Sequence, residues 1–310
     1  MTIKGEQNGV LPPLKTSLVI PAFNEEKAIR LVVEEYKPFV DEILIIDNGS
    51  SDSTNKIAKT LVSDCVRLFR IEVNKGKVPA LRLGVEHATG DIVIFTDADC
   101  TYPARYIPEF VKKIRAGGDL ILGSRQLNPE NIPFMNRIGN FVFSSLGSYI
   151  GGKNIHDSQT GYRAFRKKMF EKFDIHAQGL EFETKMTVKA AMLGYKIVEV
   201  PIEYRERVGT SKLRPVRDGI KMFFGLLAVA WNETSPLAKM IMVPGFIFII
   251  IGLGFGSVVI YQWLTVYYLT HEYYPLVSVL SILLAIQLIS LGLIMDFILK
   301  KMERIEEKLS

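Results

Sequence analysis

The sequence predicts an α/β fold with a membrane hairpin attached, and three observations lead there. Up to about Tyr204, short apolar β-rich runs alternate with amphipathic helical patterns. In the last third, 240–264 and 276–299 are each longer than twenty residues and nearly uncharged. Inside the alternating part, the apolar run 91–96 ends on Asp97-Ala98-Asp99, which sets two carboxylates on the turn leaving a strand. Continuous apolar strands separated by helices indicate a parallel sheet covered on both faces. Ligands of such sheets bind beyond the carboxyl ends of the strands.

The elements follow in order. Ser17–Ile20 is the first strand, and 25–36 a helix whose Ala28, Leu31, Val32 and Glu35 separate an apolar from a polar side. Ile43–Ile46 is the next strand. The turn Asp47-Asn48-Gly49-Ser50-Ser51-Asp52 leads into a helix running to about Leu61, with Ser51 or Asp52 as its cap. Val66–Val73 reads as a strand, Val78–His87 as a helix, Ile92–Phe95 as a strand, Pro103–Ala116 as a helix and Leu120–Leu122 as a strand. The segments Pro21–Glu25, Asp47–Asp52 and Asp97–Asp99 all fall at carboxyl ends of strands.

Composition narrows the partners. The chain has 310 residues and a formal charge of +5, with its cations gathered at Arg205, Arg207, Lys212, Arg214, Arg217 and Lys221, and again at Lys300, Lys301 and Arg304. No aromatic-studded basic sheet or recognition helix accompanies them, so nucleic acid is not the expected partner. Anionic lipid heads and a phosphorylated substrate fit the distribution. Cys65 and Cys100 offer neither a disulfide framework nor metal-ligand spacing, which suits a reducing cytosol. Residues 1–15 read as a polar tail with no signal-peptide apolar core.

Residues 16–214 form the expected sheet domain and 215–235 a juxtamembrane segment. In the latter, Ile220, Phe223, Phe224 and Leu227 oppose Arg217, Asp218 and Lys221, the pattern of a helix lying in the membrane surface. The hairpin spans 240–264 and 276–299, each long enough to cross a hydrocarbon layer of ~30 Å. Its connecting loop lacks Lys and Arg and carries Tyr267, Tyr268, Tyr273 and Tyr274, while basic residues cluster beyond both distal ends, down to the tail 300–310. Positive charge thus places the sheet domain and both termini in the cytoplasm of a two-span protein of the cell membrane. Asp296, near Lys300, is expected at the interface. Gly252, Gly254 and Gly256 form a small-residue patch in the first span that allows close helix approach, as in a homo-oligomer.

Two carboxylates spaced as Asp97 and Asp99 suit a hard cation, Mg²⁺ or Mn²⁺, that completes its shell with substrate phosphates. Pro21-Ala22-Phe23-Asn24-Glu25, Asp47–Asp52, Lys75-Gly76-Lys77 with Ala80, Arg82 and Gly84, Asp97-Ala98-Asp99 and Gly123-Ser124-Arg125 occur here in a fixed order. Together they resemble family 2 of the inverting glycosyltransferases, whose GT-A fold is a Rossmann-like nucleotide-sugar-binding domain. Further on, Asp157-Ser158-Gln159-Thr160-Gly161 with Arg163, and Val200-Pro201-Ile202 followed by Gly209-Thr210-Ser211-Lys212, resemble the dolichyl-phosphate hexose synthases. The likeness covers roughly residues 16–214.

The resemblance implies roles. Pro21, Phe23, Glu25 and Asp47 would hold the nucleoside, Lys77 the diphosphate, and Gln159 the nucleotide sugar. Asn24 and Asp52 equally suit plain helix caps, and Arg82 a solvated helix face. Asp97 and Asp99 would bridge the metal to the diphosphate. Mannosyl members place a Gln two residues after the second Asp as a further ligand; Thr101 stands there in this chain. Asp157 would be the catalytic base, or would orient substrate if the acceptor is a lipid phosphate, which is already anionic near neutral pH. Arg125 and Arg137 would bind the acceptor phosphate, and Arg207, Ser211 and Lys212 would lie on a loop closing over the diphosphate.

The expected reaction is therefore metal-dependent, inverting transfer of one hexose from a nucleotide sugar to dolichyl or another polyprenyl phosphate. Asp157–Gly161 and Phe182-Glu183 look closer to UDP-glucose-using members, so UDP-glucose or UDP-N-acetylglucosamine is the expected donor and GDP-mannose the alternative. A processive polysaccharide synthase would carry Gln-x-x-Arg-Trp and more spans; Trp231 and Trp263 follow no Arg. A non-catalytic scaffold that binds a nucleotide sugar would not require Asp97, Asp99 and Asp157 together.

Overall fold

The computed structural model describes residues 14–151, 154–171, 173, 181–209, 224, 227–228, 231–232, 234–265, 268–269 and 271–309. Ser211, Lys212, the tail up to residue 13, Tyr267 and most of the expected juxtamembrane helix lie outside them. The chain divides into two compact units, 1–226 and 227–310.

The first unit is built on seven strands: β1 (Thr16–Ala22), β2 (Glu42–Asn48), β3 (Val66–Ile71), β4 (Ile92–Phe95), β5 (Leu120–Ser124), β6 (Arg163–Arg166) and β7 (Ile197–Pro201). They form one sheet in the order β3-β2-β1-β4-β6-β5-β7. The helices are α1 (Ile29–Tyr36), α2 (Thr54–Leu61), α3 (Lys77–His87), α4 (Ile107–Arg115), α5 (Phe134–Gly151), α6 (Lys167–Glu171) and α7 (Glu181–Met192). Side chains alternate across each strand. Leu18 and Ile20 of β1 therefore pack with α1 and α4 through Val32, Val33, Phe110 and Ile114, while Val19 packs with α3 and α7 through Val78, Leu81, Phe182 and Met186.

The sheet is mixed where the sequence predicts a parallel one. β6 runs antiparallel between β4 and β5, and the remaining pairs are parallel. At four residues, bounded by Arg163 and Arg166, β6 has no apolar run to announce it. A second difference lies at the first helix, which starts at Ile29 because 25–28 form a turn, with the Ala28 and Ile29 N–H groups donating to Glu25 O. Asn24 sits at φ 55°. Its Oδ1 accepts the Ser51 N–H at 2.8 Å, so it ties two loops together and does not cap α1. Asp52 does serve α2: its Oδ1 accepts the Thr54 N–H at 2.9 Å.

β1 lies between β2 and β4, where chain order reverses across the sheet, and pairs Ala22 with Asp47 at its carboxyl end. That edge gathers Pro21–Glu25, Asp47–Asp52 and Asp97–Asp99.

The second unit is two long helices, Pro236–Thr265 and Tyr273–Leu309, both long and apolar enough to cross a membrane by length and composition. They pack antiparallel. Ser278 Oγ donates to Gly252 O at 2.7 Å, and the Ser235 N–H, at the start of the first helix, donates to the buried Asp296 at 2.8 Å. Of the glycine patch, Gly252 and Gly256 face the second helix, while a Cβ at Gly254 would meet nothing within 4 Å.

Candidate active site

The nucleoside end is framed by the loops after β1 and β2. Pro21 is the penultimate residue of β1, and Phe23, just beyond the strand, is half-buried. Asp47 is fully buried; its Oδ1 accepts the Ser50 N–H at 3.1 Å, and its Oδ2 accepts Asn55 Nδ2 at 2.7 Å beside Arg70 at 3.8 Å. Both oxygens thus hold the glycine turn and α2 in place. Glu25 is buried, and its Oε1 lies 2.5 Å from Arg207 Nη2.

Beyond β4, three cations, Lys77, Arg207 and Arg125, pair with carboxylates. Asn48 pins the loop ahead of α3, donating to Gly76 O at 2.9 Å, and Gly76 takes φ 90° so that the chain can turn into Lys77. Lys77 Nζ then lies 2.7 Å from Asp97 Oδ1 and 2.8 Å from Glu183 Oε1 on α7. Burial opposes the charge on both Lys77 and Asp97, and their attraction outweighs it, raising the ammonium and lowering the carboxyl from their ordinary values. Gly161 permits this packing, since a Cβ there would lie 2.6 Å from Asp97 Oδ2.

Asp99 is held differently. Its Oδ1 accepts Thr101 Oγ1 at 2.6 Å and the Thr101 N–H at 3.2 Å, and its Oδ2 lies 3.0 Å from Arg207 Nη1. Burial, then the nearby Asp97, push the Asp99 carboxyl up. The segment after β7 runs back along this turn, with the Arg205 N–H donating to Thr101 O and the Val208 N–H to Asp99 O. Arg207 therefore bridges Glu25 and Asp99.

On the far side, Arg125 donates from Nε and Nη2 to the two oxygens of Asp157, each at 2.7 Å, and from its backbone N–H at 3.0 Å. Its guanidinium lies 5.4 Å from the Tyr204 ring centre. Burial opposes the charge on Asp157, and Arg125 overcomes it, holding the carboxyl below its ordinary range. Gln159 is half-buried on the same turn. Arg163, fully buried, fastens this turn to α7: it donates to Ser158 O, Thr160 O and Glu183 O. Arg137 lies in the first turn of α5 with an exposed side chain, and Arg82 is exposed on α3.

Sequence reasoning placed Lys77, Asp97, Asp99, Thr101, Arg125 and Asp157 near one another, and the structure gathers them. It missed Glu183 as the second partner of Lys77, although Phe182-Glu183 stood out as a donor signature. It also missed Tyr204 under Arg125.

A divalent cation fits the donor set at Asp97 and Asp99. Two neighbouring carboxylates, Asp99 buried and Asp97 half-buried, repel one another there, and a hard ion bound by one or two carboxylates takes its remaining oxygens from water and substrate phosphates. Among the described residues, no three His, Cys, Asp or Glu side chains form a protein-only cage. Thr101 turns its hydroxyl hydrogen onto Asp99 and so aims that carboxylate.

Comparison with known proteins gives the family. Residues 17–174 match Glycosyl transferase family 2. The glycosyltransferase AglJ of Haloferax volcanii is 32% identical over 308 residues, covering 95% of this chain and 98% of its own length. The dolichyl-phosphate hexose transferase of the same organism is 32% identical over 221 residues, covering 70% and 94%. Among solved structures, glucosyl-3-phosphoglycerate synthase from Mycobacterium tuberculosis, in complex with Mn²⁺, uridine diphosphate and glucosyl-3-phosphoglycerate, has a TM-score of 0.55 at 21% identity over 69% of this chain and 80% of its own. That likeness establishes a GT-A fold for the sheet unit. With the family motifs gathered on one edge of such a sheet and a relative matched along nearly its whole length, the chain belongs to glycosyl transferase family 2.

Proposed function

We propose that this glycosyltransferase moves one hexose from a nucleotide sugar to a polyprenyl phosphate at a membrane surface, inverting the anomeric carbon in a single displacement. The observation that carries the reading is Arg125: Asp157 holds it by Nε and Nη2, so its outer edge, Nη1, is not used in that pair. A guanidinium fixed this way suits an anionic acceptor, which needs orientation more than deprotonation. The two apolar helices suit an acceptor buried in lipid. The names of two relatives point the same way: the dolichyl-phosphate hexose transferase, and the polyprenol monophosphomannose synthase of Mycolicibacterium smegmatis, 29% identical over 219 residues.

In this reading the nucleoside lies along Pro21, Phe23, Glu25 and the turn that Asp47 holds, and Gln159 faces the sugar. Lys77, beside Asp97, and Arg207, beside Asp99, face the diphosphate. Asp97 and Asp99 would hold Mg²⁺ or Mn²⁺, whose bound charge stabilises the departing nucleoside diphosphate by several kcal/mol. Asp157 acts as a positioning residue through Arg125, with Arg137, Ser211 and Lys212 as further acceptor-side groups. The sheet unit (16–214), the interfacial segment (215–235) and both termini lie on the cytoplasmic side, and the hairpin crosses the cell membrane twice.

The donor is UDP-glucose or UDP-N-acetylglucosamine on the strength of Asp157–Gly161 and Phe182-Glu183, with GDP-mannose as the second reading from the mannosyl relative. The test offers the three donors in parallel, with dolichyl or undecaprenyl phosphate and Mn²⁺ or Mg²⁺ in detergent. Metal-dependent formation of a lipid-linked sugar from one donor is expected. No product from any of them, with the protein folded, would return weight to a nucleotide-sugar-binding scaffold.

A further inference from the structure

Two buried side-chain atoms among the described residues have no hydrogen-bond partner, Arg207 Nε and Glu183 Oε2. The second is the more telling. Glu183 is 4% exposed, on the first turn of α7. Its Oε1 is paired with Lys77, and its backbone carbonyl takes Arg163 Nη1 at 2.9 Å, so its position is fixed from two sides. A buried carboxylate oxygen without a donor is costly, and folds retain such an atom where a ligand supplies the donor.

The surroundings decide which part of a ligand that is. Lys77 joins Glu183 to Asp97, and Arg163 joins it to the Ser158–Thr160 turn, beside Asp157. The nucleoside end, at Glu25 and Asp47, lies at the carboxyl ends of β1 and β2. A diphosphate has no hydrogen to donate near neutral pH and is repelled by a carboxylate. A hexose carries hydroxyl donors, and a carboxylate accepts them strongly.

We propose that Glu183 Oε2 accepts a hydroxyl of the donor hexose and thereby sets which sugar the enzyme takes. This rests on the nucleotide-sugar reading above. Lys77 is then shared: it pairs with the carboxylate that reads the sugar and with the carboxylate nearest the leaving group.

The test is E183Q, which keeps an oxygen for Lys77 and places an amide where Oε2 was. Binding of UDP-glucose, UDP-N-acetylglucosamine, GDP-mannose, UDP and GDP is measured by calorimetry with Mn²⁺ on the full-length protein in detergent. For whichever nucleotide sugar the wild type binds, E183Q is expected to weaken it about tenfold or more while leaving the matching nucleoside diphosphate within about twofold. Equal weakening of both would assign Glu183 to Lys77 alone and overturn the proposal, as would no change in either. A wild type that binds none of the three nucleotide sugars overturns the donor reading itself, and this inference with it. The 2-, 3-, 4- and 6-deoxy analogues of the bound donor provide a second measurement that does not depend on the variant folding. One of them is expected to bind the wild type more weakly than its parent and to lose nothing further in E183Q. If all four match their parent on the wild type, Glu183 reads no hydroxyl.

Discussion

Arg125 grips Asp157 with three donors, Nε and Nη2 at 2.7 Å and its own backbone N–H at 3.0 Å, in a pair that is almost wholly buried. A carboxylate engaged in this way is a weak proton acceptor, because taking up a proton dissolves the ion pair. Asp157→Asn should therefore act on the fold as well as on the reaction, since it leaves a buried guanidinium without its counter-charge. The expected loss is about 3 kcal/mol of unfolding free energy or more, together with loss of transfer. Denaturant titration of the solubilised protein checks it. A variant that keeps full stability and loses only transfer would instead mark Asp157 as the base.

The pH profile follows from the same pair. The carboxyl of Asp157 is depressed in the folded state by Arg125. Its stabilising contribution is thus complete above the unfolded value, about 3.9, and is lost as pH falls through the lower folded value. Nothing in the pair titrates between pH 6 and 8. Over that range kcat/KM at saturating metal is expected to vary by less than about tenfold. A unit slope across it would show a single essential base.

How far the sequence carried this site is visible in its distances along the chain. β1, β2, β4 and β5 were legible because each is a continuous apolar run, and the Asp97–Asp99 turn was legible because it ends one. The partners of those groups were not. Arg207 meets Glu25 across 182 residues, and Lys77 meets Asp97 across 20 and then Glu183 on another helix. No local pattern encodes such pairings. Arg207 reads as part of a basic run until the chain after β7 folds back on Thr101 and Asp99. β6 was hidden for another reason: it is short, carries arginines at both ends, and owes its place to its two neighbours.

Gly161 offers a test of how tightly Asp97 must be placed. A Cβ there would sit 2.6 Å from Asp97 Oδ2 and 3.1 Å from its Cγ, so Gly161→Ala must push the carboxylate away from its place beside Lys77. The overpacking costs about 1–3 kcal/mol of stability. Misplacement of a reacting-site group by ~1 Å costs up to about a hundredfold in rate. A raised half-saturating Mn²⁺ concentration alongside the lower kcat would locate the damage at Asp97. Unchanged metal dependence would separate Asp97 from the ion.

Arg207 predicts effects of opposite sign. Its Nη1 lies 3.0 Å from Asp99 Oδ2, on a carboxylate proposed as a metal ligand, and its Nη2 pairs with Glu25. Arg207→Gln removes a positive charge from beside that ligand. Mn²⁺ should bind a few-fold more tightly in a calorimetric titration without nucleotide, by about 1 kcal/mol. Transfer should nevertheless slow by about tenfold, because a cation facing the departing diphosphate is gone. Metal binding and turnover falling together would mean that Arg207 only supports the loop.

The hairpin carries the last prediction, and its glycines separate two uses of a small residue. A Cβ at Gly252 would lie 2.6 Å from Ile282 Cγ1 and 3.0 Å from Ser278 O, and Ser278 Oγ already donates to Gly252 O at 2.7 Å. Gly252→Val must separate the two helices there and break that hydrogen bond, at a cost of about 1–3 kcal/mol. Gly254, two residues on, is turned away from the second helix, and a Cβ there meets nothing within 4 Å. Gly254→Val should leave the thermal stability of the solubilised protein within about 0.5 kcal/mol. The same pair of variants examines association, because a second copy packed on this helix would need the open glycine and not the covered one. If Gly254→Val lowers the oligomer mass in light scattering while Gly252→Val does not, the open face is an interface between copies. If only Gly252→Val has an effect, the glycines serve the hairpin alone, as the contacts within the chain predict.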